Sequence, residues 1–356
     1  MDFIMMELFE DDDEQELLAC CNNFVFLSLF QRATIIQKKM NRLLKKWQRR
    51  VRHKKTGIPL ELQQRKAKRK HGHSINVAKF GGFKLYEETG LFYDEFERLF
   101  LKVKDELCKP RRKGQPTSNH LHCGRTILTP RSRLVLALNW LRDGGLHRRL
   151  QRSYQVSRAT VCREVHHVLP ILYSALNEIQ LPLQWPVYHF EMVAGAIDCT
   201  SHYRCRVHPG QALYYRGDKH GHFLSAQVVC TLDGEILDVQ LLLGHNNDKA
   251  CYKLSGIRVL LHQNGIRLLA DDGYSDCMLV TPTYRNNRRW QQAQKDHRSI
   301  VEVAIGMVQN FRFAREKARQ SPAVQAMALL VCYQLTNIYL KKYPLRHVQK
   351  ATIEAS

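Results

Sequence analysis

Two short apolar runs, each closing on an aspartate, constrain this chain more than any other feature. Val193–Cys199 carries Asp198 (AGAIDCT), and Arg267–Ala270 closes on Asp271 (RLLADDGY). An isolated buried carboxylate is costly, so an acid at the end of a buried strand needs a reason to be there. Two such strands side by side bring like charges together, and a divalent cation relieves the repulsion. Between the runs, His222–Thr231 (HFLSAQVVCT) is rich in β-formers, Asp233-Gly234 signals a hairpin turn, and Glu235–Leu243 predicts the returning strand. Residues 247–263 predict one helix. His297–Arg312 predicts another, with Ile300, Val301, Ala304, Ile305 and Val308 toward a sheet, Glu302 beside that stripe and Arg298 one turn earlier. The order of elements implies an α/β fold, a mixed sheet with helices packed on it.

Three carboxylates from separate elements, Asp198, Asp271 and Glu302, suit a hard cation such as Mg²⁺ or Mn²⁺. Two such ions about 4 Å apart activate a water or a 3′-hydroxyl and stabilise the leaving oxygen, which is phosphodiester hydrolysis followed by transesterification. Spacing alone favours the plainer reading, three structural acids in salt bridges.

Charge points to the same class of partner. Lys and Arg total 55 against 33 acids in 356 residues, a formal charge of +22. Such an excess costs self-repulsion unless a polyanion is near, and nucleic acid is the first candidate. Residues 1–16 are acidic. From Arg32 to Lys70 there are 16 Lys plus Arg against the single acid Glu61. Within this arm Lys45–Lys55 (KKWQRRVRHKK), with Lys45, Lys46, Arg49 and Arg50, reads as a nuclear-import patch, a phosphate-binding arm or both. That reading predicts a nuclear protein, held in the cytoplasm until imported. No stretch reaches the about 18 unbroken apolar residues of a membrane span, so no membrane partner is expected. The scattered cysteines match no disulfide framework or zinc spacing and predict reduced thiols.

Upstream of the strands the chain predicts helices. Phe92, Phe96, Leu99, Phe100, Val103 and Leu107 share one helical face, and residues 109–119 read as a linker. Thr129-Pro130 predicts a capped start, Asp143-Gly144-Gly145 a stop, and Ser157 the cap of a further helix opening Arg158-Ala159-Thr160-Val161-Cys162-Arg163. This is a helix-turn-helix pattern, with Arg158, Thr160 and Arg163 where the start of a recognition helix meets base edges. Helical hairpins of this kind also occur in proteins that never touch DNA. The expected organisation is an acidic-then-basic arm (1–75), a helical segment and basic linker (76–115), a helix-turn-helix region (120–185) and a catalytic domain (186–345).

Four blocks carry a family resemblance: AGAIDCTSHYRCR; LYYRGDKHGHFLSAQVVCTLDGEILDV; LLGHNNDKACYKLS followed by LLADDGY; and HRSIVEVAIGMVQNFRF. The last matches Arg-x-x-x-Glu-x-x-x-Gly-x-x-x-x-Phe-Arg. Over residues 190–345 the chain resembles the DDE catalytic domain of PIF/Harbinger transposases and of the nuclease domesticated from them. The resemblance implies a ribonuclease-H-like fold with Asp198, Asp271 and Glu302 as a metal-binding catalytic triad. It also implies cut-and-paste activity on terminal inverted repeats and target DNA, and a Myb/SANT-like accessory protein. Cutting two ends predicts a homodimer or higher oligomer. Asp272 stands where the family tends to carry a small residue and is the alternative to Asp271. Asp248 falls where the family tends to keep an acid, and reads as a helix cap ahead of a supporting acid at the metal site. Arg216, Lys219, His220 and His222 read equally as contacts to the scissile DNA and as a solvated turn.

Overall fold

Caps written into the sequence fix the helices of the N-terminal half. The computed structural model describes residues 82–109 and 128–351. The basic arm, with Lys45, Lys46, Arg49 and Arg50, and all of the predicted linker after Lys109 lie outside the described residues. After α1 (Gly82–Thr89), α2 (Tyr93–Cys108) starts where the Glu95 carboxylate accepts from the Phe92 amide at 2.9 Å. Phe96, Leu99, Phe100, Val103 and Leu107 form its buried face as predicted, while Phe92, expected on that face, precedes the helix as its cap residue. At α3 (Pro130–Arg142) the Thr129 hydroxyl accepts from the Ser132 amide, and at α5 (Arg158–Ala175) the Ser157 hydroxyl accepts from the Thr160 amide. Each cap contributes about 1 kcal/mol. The short α4 (His147–Ser153) lies between them. Arg133 on α3 and Glu164 on α5 form a buried ion pair at 3.5 Å, and Arg133 also donates to the Leu107 carbonyl at 2.9 Å, so one guanidinium joins three helices.

The sheet is mixed, as the order of elements implies. β1 (Gly195–Arg204) is central. It pairs antiparallel with β3 (Gly221–Cys230) and, at its start, parallel with β5 (Leu268–Leu269). β5 continues in parallel to β6 (Leu279–Val280), while β3 pairs antiparallel with β2 (Tyr215–Arg216) and with β4 (Ile236–Leu243). Gly195 is required by the closeness of β1 to β3: a Cβ there would lie 2.0 Å from the Cys230 carbonyl oxygen. Thr231–Gly234 makes the predicted hairpin turn, with Gly234 at φ +100°.

Several sequence expectations are corrected. Asp198 does not end its strand. β1 runs on through polar Thr200, Ser201, His202 and Arg204, because β3 pairs with it along its whole length and the buried His202 and Arg204 find partners in Tyr333, Ala314 and Gln325. The single helix expected over 247–263 is two, α6 (Asp248–Leu254) and α7 (Ile257–Asn264), broken at Gly256 with φ +74°. The helix carrying Glu302 begins nine residues earlier than predicted: α8 spans Arg288–Val308, capped by Asn287.

After the short α9 (Arg312–Arg315), α10 (Pro322–Lys342) is long and apolar enough to cross a membrane by length and composition. Here it is a core helix. Asn337, fully buried, accepts from the Ile236 amide at 2.8 Å and donates to the carbonyls of Ile236 and Glu178 at 2.9 and 2.8 Å. Gln334 accepts from Ile179, and Trp140 packs on Phe313 with ring centroids 4.8 Å apart. One apolar cluster therefore runs from α2, α3 and α5 to β1, β3, α8 and α10. All described residues fall in one compact unit.

Candidate active site

The pairing of β1 with β5 sets the site. Gly195 faces Leu268 and Ala196 faces Leu269 in parallel register. Two residues further along each chain stand Asp198 and Asp271. An even offset returns side chains to the same face, and neighbouring strands lie about 4.8 Å apart, so the register brings these two carboxylates to one place. A third acid joins them from α6. A Cβ on Gly273 would lie 2.9 Å from the Asp271 carboxylate and 3.7 Å from that of Asp248, so the bare backbone there lets both acids close over it. The Gly273 amide donates to Asp271 at 2.9 Å, and the Cys199 amide donates to Asp198 at 2.8 Å.

Burial pushes the Asp198 carboxyl up to about 6; Asp271 and Asp248 push the same way, while the Cys199 amide and Arg298 pull it down. Asp248 is also raised, first by burial and then by Asp271 and Asp218, against the pull of Arg216 and Lys219. Burial is the larger cause at both acids, and the neighbouring carboxylates add to it against the pull of Arg298, Arg216 and Lys219.

Asp248 corrects the cap expectation. The α6 cap is Asn247, whose side chain accepts from the Ala250 amide at 2.9 Å, which leaves the Asp248 carboxylate turned toward Asp198 and Asp271. Asp272 is exposed at the rim of an adjoining cleft.

Glu302 comes from α8, which packs over β1 and β3 through Ile300, Val301, Ala304, Ile305 and Val308. Its side chain, 53% exposed, pairs with Arg298 at 3.0 Å. Arg298, 13% exposed, is the guanidinium that also acts on Asp198, so it stands between Glu302 and the aspartates. The donor atoms of Asp198, Asp271 and Glu302 do not draw within 4.8 Å of one another; among the described residues the group that does is His262, Asp276 and Cys277, where Asp276 is already held by Arg258 and His262. Gln294, fully buried, donates to the Ala270 and Val280 carbonyls at 2.9 Å each and fastens α8 to the strand ends beside Asp271. Sequence reasoning missed it, although a lone amide on the apolar stripe of a helix is a readable sign of such a fastener.

Across β1, Ser201 accepts from Arg216 at 3.2 Å and from Lys219 at 3.0 Å, three residues from Asp198. Arg216 and Lys219 act on Asp248, and Arg298 on Asp198, so cations stand on either side of the acids. The three helix-turn-helix candidates separate. Arg158 and Arg163 are exposed. Thr160 is buried, with its hydroxyl against Ser157 and Arg163, so it packs the cap and is not presented to a groove, which corrects its expected role.

The donor set is all carboxylate oxygen, Asp198 and Asp248 are raised by burial, and neighbouring acids add to the rise. That chemistry fits a Mg²⁺-type cation, which Asp198, Asp271 and Asp248 would hold by drawing closer and which Glu302 would join on releasing Arg298.

Residues 197–337 match the family described as DDE superfamily endonuclease. The matched segment opens one residue before Asp198 and takes in Asp248, Asp271 and Glu302, so the acids gathered by the sheet all fall inside a DDE transposase-like nuclease segment. The mixed sheet is consistent with the ribonuclease-H-like architecture of a DDE domain, and a DDE nuclease implies DNA as substrate. DDE nucleases generally use divalent metals such as Mg²⁺. No curated protein and no solved structure matches the chain.

Proposed function

We propose that this protein is a divalent-metal-dependent DNA endonuclease of the cut-and-paste transposase type, of PIF/Harbinger character, with Asp198, Asp271 and Glu302 as its catalytic, metal-binding carboxylates. The observation that carries the reading is the parallel register that sets Asp198 beside Asp271, with Asp248 against both and α8 delivering Glu302 from above. Asp248 is assigned as a supporting acid, and Asp272 as a rim residue able to replace Asp271 only by turning inward.

Bound Mg²⁺ or Mn²⁺, two ions in this reading, would supply an activated water or 3′-hydroxyl and a counter-charge for the leaving oxygen. The chain's own part is positional. Asp198 is held by the Cys199 amide and Asp271 by the Gly273 amide, so neither carboxylate has to be ordered on binding. Arg216, Lys219 and Arg298 border the acids with positive charge and suit the phosphates on either side of a scissile bond. The exposed Arg158 and Arg163 at the start of α5, together with the basic arm of Lys45, Lys46, Arg49 and Arg50, are assigned to duplex binding at transposon ends and target DNA. An acidic-then-basic arm at 1–75, a helical segment and basic linker at 76–115, a helix-turn-helix region at 120–185 and a catalytic domain at 186–345 remain the functional division. Nuclear action, assembly as a dimer or higher oligomer and a Myb/SANT-like accessory partner complete the proposal.

A second reading, a domesticated nuclease that cuts without re-inserting, uses the same acids. A third, a DNA-binding regulator without catalysis, is favoured by one observation: Glu302 sits in an ion pair, as a structural acid does. Cleavage of duplex oligonucleotides with Mg²⁺ or Mn²⁺ decides among them, comparing wild type with Asp198→Asn, Asp271→Asn and Glu302→Gln. The proposal expects nicking by wild type alone; equal nicking by all four proteins removes the assigned site, and no nicking by any favours the regulator. Strand transfer after cutting separates transposase from domesticated nuclease.

A further inference from the structure

The polar first half of α8 lines a cleft that the carboxylates only border. About 600 Å³ in volume, it is walled on one side by Asp271, Asp272 and Gly273 and on the other by Arg288, Gln291, Gln292, Lys295 and Arg298. Those five α8 positions follow helical spacing, so they form one face about 15 Å long. The face is cationic and amide-bearing from end to end. Among the described residues, neither Arg288 nor Lys295 has a carboxylate within 4.0 Å, although the cleft's opposite wall is acidic, and both are exposed. The buried Nε of Arg298, at the inner end, has no hydrogen-bond partner. Gln294, about a quarter turn round the helix from the stripe, locks it in place through its two carbonyl bonds. Two exposed cations without carboxylate partners, Arg288 and Lys295, on a rigid element that leads through Arg298 to the aspartates are a poor solution for folding and a good one for a polyanion.

We propose that this face of α8 is the track for the DNA backbone entering the carboxylate site, with Arg288, Lys295 and Arg298 on successive phosphates and Gln291 and Gln292 as neutral donors between them. The inference rests on the nuclease reading for its direction and on the cleft for its existence. Phosphates advance about 3.4 Å per nucleotide along one strand of a duplex, so the stripe covers about four nucleotides on one side of the bond that is cut. Arg216 and Lys219 then belong to the other side of that bond.

The test is binding of a short fluorescein-labelled DNA duplex to the full chain in EDTA, as a function of salt. Arg288→Gln/Lys295→Gln is compared with Arg98→Gln/Lys104→Gln on α2, which removes the same charge outside the cleft, and with the charge-keeping Arg288→Lys/Lys295→Arg. The track predicts about tenfold or greater loss of affinity for the first variant only, with the slope of log K against log salt shallower by about 1.8, two phosphate contacts at about 0.9 each. The charge-keeping variant should bind like wild type, which also shows that the helix face tolerates substitution. Equal behaviour of the two charge-removing variants overturns the track, as does equal competition by a single-stranded RNA of the same sequence. Cleavage of the same duplex by the wild-type chain in Mg²⁺, with Asp198→Asn as its negative control, is the separate readout: weakened binding by Arg288→Gln/Lys295→Gln when the wild type does not cut sinks the nuclease reading and leaves the track, whereas unweakened binding by that variant when the wild type does cut sinks the track alone.

Discussion

The Glu302 carboxylate lies 3.0 Å from the Arg298 guanidinium one turn back on the same helix, and that guanidinium also lowers the charge cost of Asp198. Arg298 therefore does part of what the proposed cation would do. It holds Glu302 away from two carboxylates that would repel it. Removing it should expose the repulsion. With Arg298→Gln, the Asp198 carboxyl should titrate higher than about 6, since one of its stabilising charges is gone. Carboxyl NMR titration of the metal-free protein reads this directly. An unchanged midpoint would mean that Arg298 and Asp198 do not communicate.

Asp198 also makes stability depend on pH. Its carboxyl is raised in the folded chain above its ordinary value of 3.8, so the folded state binds the proton more tightly. The associated stability is complete below about pH 3.8 and is lost as pH rises through about 6. Asp198→Asn should thus stabilise the metal-free protein at neutral pH by about 2 kcal/mol, allowing for partial exposure, with no gain at low pH. Urea unfolding across that range, with EDTA present, checks the sign.

His202 works in the opposite direction. It is fully buried, bridges the Ala314 carbonyl at 2.7 Å and the Tyr333 hydroxyl at 2.9 Å, and burial pushes its pKa down to about 4. Below the ordinary value of 6.5 the unfolded chain takes up a proton that the folded chain refuses. The stability tied to His202 is present above about pH 6.5 and is lost as pH falls toward about 4, roughly 2 kcal/mol of it by about pH 5. A His202→Gln protein should lack this share of the acid sensitivity, so the gap between the two proteins narrows on acidification. A gap that stays constant with pH contradicts a neutral buried His202.

The Arg133–Glu164 pair joins α3 to α5 with both side chains almost fully enclosed. Removing one partner leaves a buried charge uncompensated, and Glu164→Ala should cost about 3–5 kcal/mol. Replacing both by apolar residues of similar size should recover most of that loss. A double-mutant cycle on urea midpoints measures it; additive losses would show that the two side chains are not coupled.

Much of the fold was legible where local chemistry decides it. Thr129 and Ser157 announce their helices because a hydroxyl that satisfies an orphan amide is a local event. The hairpin at Asp233-Gly234 and the apolar stripe around Glu302 are likewise short-range signals. What was not legible depends on distant partners. The first half of α8 has no continuous apolar stripe, because one face is turned to the cleft, so periodicity misses its start. α10 is buried on most sides and has no amphipathic period to read. The second half of β1 is polar and is a strand only because β3 pairs with it. At the site, Asp198 and Asp271 could be picked out as strand acids. Asp248 could not be told from a cap, because Asn247 beside it offers the same chemistry and only the three-dimensional arrangement shows which one takes the role.

The central claim is that carboxylates from β1, the end of β5 and α8 together hold a divalent cation. Calorimetric titration of the metal-free protein with Mn²⁺ measures it most directly. The account predicts a binding event in wild type that disappears in Asp198→Asn and Asp271→Asn and weakens in Glu302→Gln. It also predicts that Asp276→Asn, at the acid already held by Arg258 and His262, leaves the event unchanged. Equal Mn²⁺ uptake by wild type, Asp198→Asn and Asp271→Asn would contradict it.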